Sequence, residues 1–319
     1  MDLSAIDPIT LFVGLVSAAT PLLFAAIGEL VVEKSGVLNL GVEGMMIIGA
    51  VCGFAAATTA GSSAVGFVAG AAGGAALALL FGVMTQYFLT NQVATGLALT
   101  LFGLGLAALI GQPFTGIKPP PFHGLDIPVL SDLPVLGRMF FRYDIVLYLG
   151  VGLIALVWVF LNRTRTGLIL RAVGENHDAA HSLGYPVVKI RLAAIAFGGA
   201  CAGVGGSYLS LVRVPQWTEG MTAGTGWIAL AIVVFAAWKP WRILLGAWLF
   251  GGVTILQLNL QASGFLSWLQ SLGIPMQAQY LSMTPYLVTI IVLVVISADR
   301  TRAALNAPGC LGRSFTQSG

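Results

Sequence analysis

The chain has 319 residues, of which 57% are hydrophobic and only 8% charged, with a formal net charge of +3. An ordinary soluble domain carries about 25% charged residues, and this much apolar surface has no place to hide in a water-soluble fold. Lipid is therefore the expected solvent, and the 41 glycines agree, because glycine is more frequent in membrane helices than in soluble ones.

Residues 1–8 carry Asp2 and Asp7 and no Lys or Arg. A signal peptide needs a positive first region, so the chain is expected to enter the membrane through its own helices. A helical span needs about 20 mostly apolar residues. That rule predicts nine spans, at roughly 9–32, 43–60, 64–86, 94–111, 144–162, 191–212, 221–238, 242–258 and 281–298. The fold class is thus all-α, a polytopic helical membrane protein. Glu29, Glu33, Lys34, Asn39 and Glu43 interrupt the boundary between the first two spans, and 242–258 is short for a crossing. Gly66, Gly70, Gly74, Ala78 and Gly82 form a stripe of small residues along the third span. Gly103, Ala107 and Gly111 do so on the fourth, and Gly199, Gly203 and Ser207 on the sixth. Such stripes let helix backbones approach closely, which predicts packing within one bundle.

Glu43-Gly44-Met45 recurs as Glu219-Gly220-Met221, each opening an apolar span after a broken, polar stretch. The copies lie five spans apart, so they enter from opposite sides, as inverted-topology repeats do. The chain therefore reads as a single transmembrane domain: repeat one at about 9–111, an outer loop at 112–143, repeat two at about 144–298, and a cytoplasmic tail at 299–319. With the C-terminus inside and the N-terminus outside, eleven of the basic residues fall in inner loops and four in outer ones, as the positive-inside rule demands. The outer loop, rich in proline, leaves room for a short helix around Val135 to Phe141. The inner loop 163–190 is the most polar stretch. Within it Asn176 is placed to cap a helix through Ser182, which Gly184 and Pro186 then end.

An acid inside a span costs about 2.5–3.5 kcal/mol on insertion scales, so it is a functional candidate by default. Glu29, Glu43 and Glu219 qualify, and with Asn39, Gln86, Asn91, Gln92, Thr95 and Thr222 they are predicted to line a polar path. Glu43 and Glu219 have a second reading as helix caps, since each stands at the start of a span. Trp217 is a stacking candidate beside Glu219, whereas Trp238 and Trp241 beside Lys239 read as interfacial anchors. Cys52, Cys201 and Cys310 form no CxxC pair. His123, His177 and His181 lack a further ligand, so no metal is expected. No GxxxxGK[ST] phosphate loop and no catalytic constellation occur. The chain reads as a non-enzyme without cofactor, and any ATP it uses must be bound by a partner. Its basic residues are spread over loops, so no nucleic-acid partner is expected.

The stretch Gly28-Glu29, then Ser35-Gly36-Val37-Leu38-Asn39-Leu40-Gly41-Val42-Glu43-Gly44-Met45, resembles the first-repeat motif of the ABC-importer permeases serving branched-chain amino acids, simple sugars and nucleosides. Thr166-Gly167-Leu168, Arg171 to Asn176, Ala179-Ala180 and Gly184-Tyr185 resemble that family's cytoplasmic coupling segment. The likeness runs from about residue 10 to 300, and its wording is most similar to the nucleoside-type permeases. It implies a multi-pass protein of the bacterial cytoplasmic membrane, with a second and non-identical permease subunit, ABC ATPase subunits and an extracytoplasmic binding protein as partners. It assigns ATPase coupling to Arg171, Gly174, Glu175, Asn176, Ala179, Ala180 and Gly184, the small residues seating in a partner's cleft. The implied function is alternating access for a small polar solute, a nucleoside first, with a simple sugar or a branched-chain amino acid as alternatives. The rival from another class is an ion-coupled secondary transporter using Glu29, Glu43 and Glu219.

Overall fold

In lipid a backbone without water must satisfy its own polar groups, which leaves an apolar run the helix as its local solution. The computed structural model describes residues 8–122, 124–125, 136–263, 266, 277–298 and 306–316, and every regular element among them is helical. In chain order these are α1 (Pro8–Lys34), α2 (Val42–Ala60), α3 (Ser63–Gln86), α4 (Gln92–Gly111), α5 (Leu136–Phe140), α6 (Ile145–Arg163), α7 (Arg165–Glu175), α8 (His177–Ser182), α9 (Val187–Tyr208), α10 (Thr225–Phe235), α11 (Pro240–Ala262), α12 (Ala278–Ser282) and α13 (Thr284–Ala298). Seven of them, α1, α2, α3, α4, α6, α9 and α11, are long and apolar enough to cross a membrane.

Helices stand at all nine predicted spans, but three of those segments differ from expectation. The segment 221–238 yields only the 11 residues of α10, about 16 Å of helix against a hydrocarbon core of about 30 Å. Left-handed residues bound it: Gly220, Ala223 and Gly224 before it, Ala237 and Trp238 after it. The segment 242–258, expected to be short, becomes the 23-residue α11. Pro240 is tolerated in its first turn, and near its end Asn259 Nδ2 donates to the Ile255 carbonyl at 2.9 Å. The last segment is divided at Met283 into α12 and α13.

α1 and α9 run antiparallel through the centre. Ser17 meets Tyr208 near one end, Gly28 meets Gly198 and Cys201 midway, and Arg191 meets Ser35 at the other. The small-residue stripes pack inside the bundle, as predicted. A β-carbon on Gly70 would lie 2.8 Å from the Gly49 carbonyl oxygen, and one on Gly74 would lie 2.8 Å from the Gly203 α-carbon, so α2, α3 and α9 touch through backbone. Gly103 of α4 meets Gly44 of α2 in the same way. On the perimeter, Val68, Leu101 and Ile291 present exposed apolar faces, as a lipid-facing surface requires.

Candidate coupling and translocation site

Residues 35–41 leave α1 and fold back along it instead of continuing outward. Gly36 makes the reversal with φ +88°, a region closed to most side chains. The returning strand of chain lies in a groove on one face of α4. The Leu38 amide donates to Gln92 Oε1 at 2.8 Å, a β-carbon on Gly96 would lie 2.9 Å from the amide nitrogens of Leu40 and Gly41, and Thr100 Oγ1 donates to the Leu40 carbonyl at 3.2 Å. Gln92, Gly96 and Thr100 are four apart and so share a face. On the other side the Asn39 amide donates to Glu29 Oε1 at 3.2 Å, while Asn39 Oδ1 accepts from the Gly41 amide at 2.9 Å. Glu29 stands five residues before the end of α1, so α2 begins about 8 Å inside the bundle rather than at its rim.

α10 begins at the same depth from the opposite direction. Glu43 Oε1 accepts from Thr222 Oγ1 at 2.5 Å and from the Gly224 amide at 3.0 Å, and its Oε2 accepts from the Gly226 amide at 2.7 Å. α10 ends beside Trp238, whose indole donates to Glu33 Oε2 at 2.5 Å near the end of α1. Two helix N-termini therefore face each other across one carboxylate. Both carry partial positive charge, which is the condition under which a buried acid is favoured. Broken helices whose N-termini converge within the bundle are the architecture in which membrane transporters place their sites. The two copies of the Glu-Gly-Met echo are not equivalent within it. Glu43 lies in the first turn of α2, whereas Glu219 is exposed in the turn preceding α10.

The polar loop 163–190 is helical over most of its length. α8 lies where expected, with Asn176 accepting from the Ala179 amide at 3.0 Å and Gly184 left-handed at φ +86°. α7 was not expected. Its signals were Thr164, which caps it through the Gly167 amide at 3.1 Å, and the apolar spacing of Leu170 and Val173, both buried. α7 docks on the reversal after α1 so closely that a β-carbon on Gly174 would collide with the Lys34 carbonyl.

The tail closes over this junction. The Cys310 amide donates to the Gly174 carbonyl at 2.9 Å and the Gly312 amide to the Gly36 carbonyl at 3.1 Å. Lys34 Nζ donates to the Asn306 carbonyl at 3.0 Å, and the Gly309 amide to Glu175 Oε2 at 3.2 Å. Phe315 is buried among Val173, Ala180 and Val187, edge-on to His177 and His181 at 5.3 and 5.2 Å. Arg191, fully buried at the foot of α9, ties the parts together. Its Nε donates to the Ser35 carbonyl at 3.2 Å, Nη1 to the Arg313 carbonyl at 3.1 Å and to Gln86 Oε1 at 3.4 Å, and Nη2 to His177 Nδ1 at 3.1 Å. Because arginine only donates, His177 must accept through Nδ1 and is held neutral there. Burial first, then the Arg191 charge, pushes its pKa below the ordinary histidine value, against the opposing pull of Asp178. Arg191 counted in the sequence only as one inner-loop cation, and nothing local marks it as a junction.

The predicted path residues fall into separate groups. Glu29, Asn39 and Gln92 gather around residues 35–41, while Thr95 donates to Thr90 Oγ1 at 2.8 Å; all four are buried. Gln92 Nε2 is a buried donor without a partner among the described residues. Glu43 and Thr222 form the second group. Trp217 stands apart, buried and pressed against Gly111, so it has no open face for stacking. Asn91 is exposed and caps α4 through the Ala94 amide at 3.0 Å. Glu29, Glu43 and Glu219 are not brought together. Of the coupling residues, Glu175, Asn176, Ala179 and Gly184 are exposed, Arg171 is half-buried, and Gly174 and Ala180 are buried. Ala180 thus turns inward onto Phe315, contrary to the expected surface role, because it lies one residue and about 100° around α8 from Ala179. Trp238, expected as a surface anchor, is buried against Glu33. His123 lies outside the described residues, among which no cluster that could hold a metal occurs.

The family model described as branched-chain amino acid transport system / permease component matches residues 11–296. The chain belongs to this permease family. The permease is 41% identical to a putative glucose ABC transporter permease protein of Haloferax volcanii, over 95% of this chain and 96% of that one. It is 34% identical to a guanosine ABC transporter permease protein of Bacillus subtilis, over 91% of each chain. It is 32% identical to a nucleoside ABC transporter permease protein of Lactococcus lactis, over 86% of this chain and 88% of that one. No solved structure matches the permease.

Proposed function

We propose that this permease is the membrane subunit of an ABC importer that carries a neutral, hydroxyl-rich solute, a nucleoside, inward by alternating access. The observation that carries the proposal is the direct backbone contact between α7 and the reversal after α1. A push on α7 and α8 would reach Gly36, residues 38–41 and the facing starts of α2 and α10 without crossing a flexible linker. The ATPase would seat on the exposed tip of α8, where Leu183 is 77% exposed beside Gly184. The C-terminus and this tip would face the cytoplasm and the N-terminus the outside, the side from which a binding protein delivers solute. A second permease chain would complete the path.

A neutral solute suits a bundle whose buried acids Glu29, Glu33 and Glu43 are each already engaged by internal donors. The nucleoside choice is supported by the guanosine and nucleoside relatives. A hexose is the second reading, favoured by the higher identity to the putative glucose permease.

The test is co-purification with an ATPase chain from the native membrane, followed by reconstituted uptake of labelled guanosine, glucose and leucine. ATP-dependent guanosine uptake is expected. Leu183→Asp, at an exposed position, should lower ATPase retention while membrane insertion stays intact. Removal of 174–184 should abolish uptake. Uptake driven by an ion gradient in the absence of any ATPase would reject the proposal.

A further inference from the structure

At the end of the bundle where Lys34 lies, a pocket of about 420 Å³ opens between α1, α6, α7 and the turn leading into α11. Four cations line it, Lys34, Arg171, Lys239 and Arg242, and no carboxylate does among the described residues. None of the four makes an ion pair among those residues. Arg171 Nε is buried there without a hydrogen-bond partner among them. Two acids flank this region outside the pocket wall: Glu33 accepts from the Trp238 indole at 2.5 Å and Glu175 from the Gly309 amide at 3.2 Å, and both stand within electrostatic reach of Lys34. The turn that delivers Lys239 is costly in itself, because Ala237 and Trp238 are consecutive non-glycine residues at φ +48° and +54°. Such strain persists only where the surroundings over-determine it, and here the Trp238–Glu33 bond pins it. Trp158 and Trp241 complete the wall, with Trp241 47% exposed.

Four cations line the cavity against two flanking acids, so an excess of positive charge faces its interior, and an external anion relieves that repulsion. We infer that this pocket binds a phosphate-type anion, the arginines offering planar forks for its oxygens and the lysines point charges. Two sources share that chemistry, an anionic phospholipid headgroup and a soluble phosphate. The place of the pocket at the ends of membrane-crossing helices, with tryptophans at its rim, favours the lipid. Basic pockets between helices at a membrane surface recruit anionic headgroups at about a fivefold gain per cation. The inference does not rest on the transported solute or on the ATPase.

The experiment uses the full-length protein in phosphatidylcholine vesicles carrying a minor fraction of either brominated phosphatidylglycerol or brominated phosphatidylcholine, with quenching of tryptophan fluorescence as the readout. Preferential quenching by the phosphatidylglycerol is expected. Lys239→Gln with Arg242→Gln should lower that preference by about fivefold per neutralised charge, whereas Lys239→Arg with Arg242→Lys should retain it. Monodisperse elution of each variant controls for folding. Loss of the preference on adding inorganic phosphate assigns the same site to a soluble anion. Equal quenching by both lipids, with no response to phosphate, overturns the inference. Loss of a co-purifying ATPase from the Lys239/Arg242 glutamine variant, with no lipid preference in the parent, also overturns it in favour of a protein partner.

Discussion

The amide of Gly226 donates to Oε2 of Glu43 at 2.7 Å, so a side chain from the first turn of α2 closes the first turn of α10. Gly226 cannot be larger, since a β-carbon there would lie 2.5 Å from the Glu43 backbone nitrogen. Glu43→Ala removes the acceptor of three donors and leaves the Gly224 and Gly226 amides unpaired in the interior. A loss of about 1.5–3 kcal/mol per charged hydrogen bond is the scale for such a change. Thermal unfolding in detergent should show a large drop for Glu43→Ala and a smaller one for Glu43→Gln, which keeps an acceptor oxygen.

Gly174 and Phe315 should separate coupling from insertion. Gly174→Val must push α7 off the Lys34 carbonyl, at about 1–3 kcal/mol for overpacking. Phe315→Ala empties the cluster beneath α8, at about 3–5 kcal/mol. In both variants the expectation is normal membrane insertion with solute uptake reduced at least tenfold, measured in reconstituted vesicles. Protease sensitivity around 176–184 should rise in Phe315→Ala, whose α8 loses its only buried aromatic neighbour among the described residues.

Arg191→Lys is not a conservative change here. The guanidinium spans the Ser35 and Arg313 carbonyls, Gln86 and His177 at once, and a single ammonium cannot hold that spread of acceptors. The lysine variant should approach Arg191→Ala in thermal stability. It should also loosen the tail, measurable as faster amide exchange at Cys310 and Gly312.

His177 supplies a pH dependence of known sign. Its folded pKa lies below the ordinary histidine value because burial and Arg191 disfavour the imidazolium. The stability it contributes is fully present above the unfolded pKa, near 6.5, and is lost as pH falls through the folded value. Amide exchange in α8 and residues 309–315 should therefore accelerate on acidification below about pH 6.5. His177→Gln, which carries no titrating group, should flatten that response.

Much of this was legible in the sequence because it is local. Asn176 before Ala179 announces its cap three residues ahead, and Gly184 announces the end of α8. The small-residue stripes on α3, α4 and α9 announce close packing within the bundle, since four-residue spacing leaves one face of a helix bare. The family motif around Asn39 and Glu43 marks the stretch where the chain reverses. Other features were invisible for the opposite reason. Glu43 meets Thr222, Gly224 and Gly226 across nearly 180 residues, and Trp238 reaches back 205 residues to Glu33. No periodicity encodes such pairs.

Composition and spacing alone determined that this is an all-helical membrane protein and roughly where its helices lie, because in lipid a long apolar run has only the helix as an answer. They also marked Glu29, Asn39 and Glu43 as acids and amides too costly to bury without purpose. Only the tertiary structure decided what that purpose costs and where it acts. It turned Ala180 inward and left Ala179 outside, shortened α10 to half a span, and laid the tail across α7 onto Gly36. Those outcomes depend on which surfaces fill one another's volume and which donors reach which carboxylates, and both are settled only once distant segments are brought within hydrogen-bonding distance.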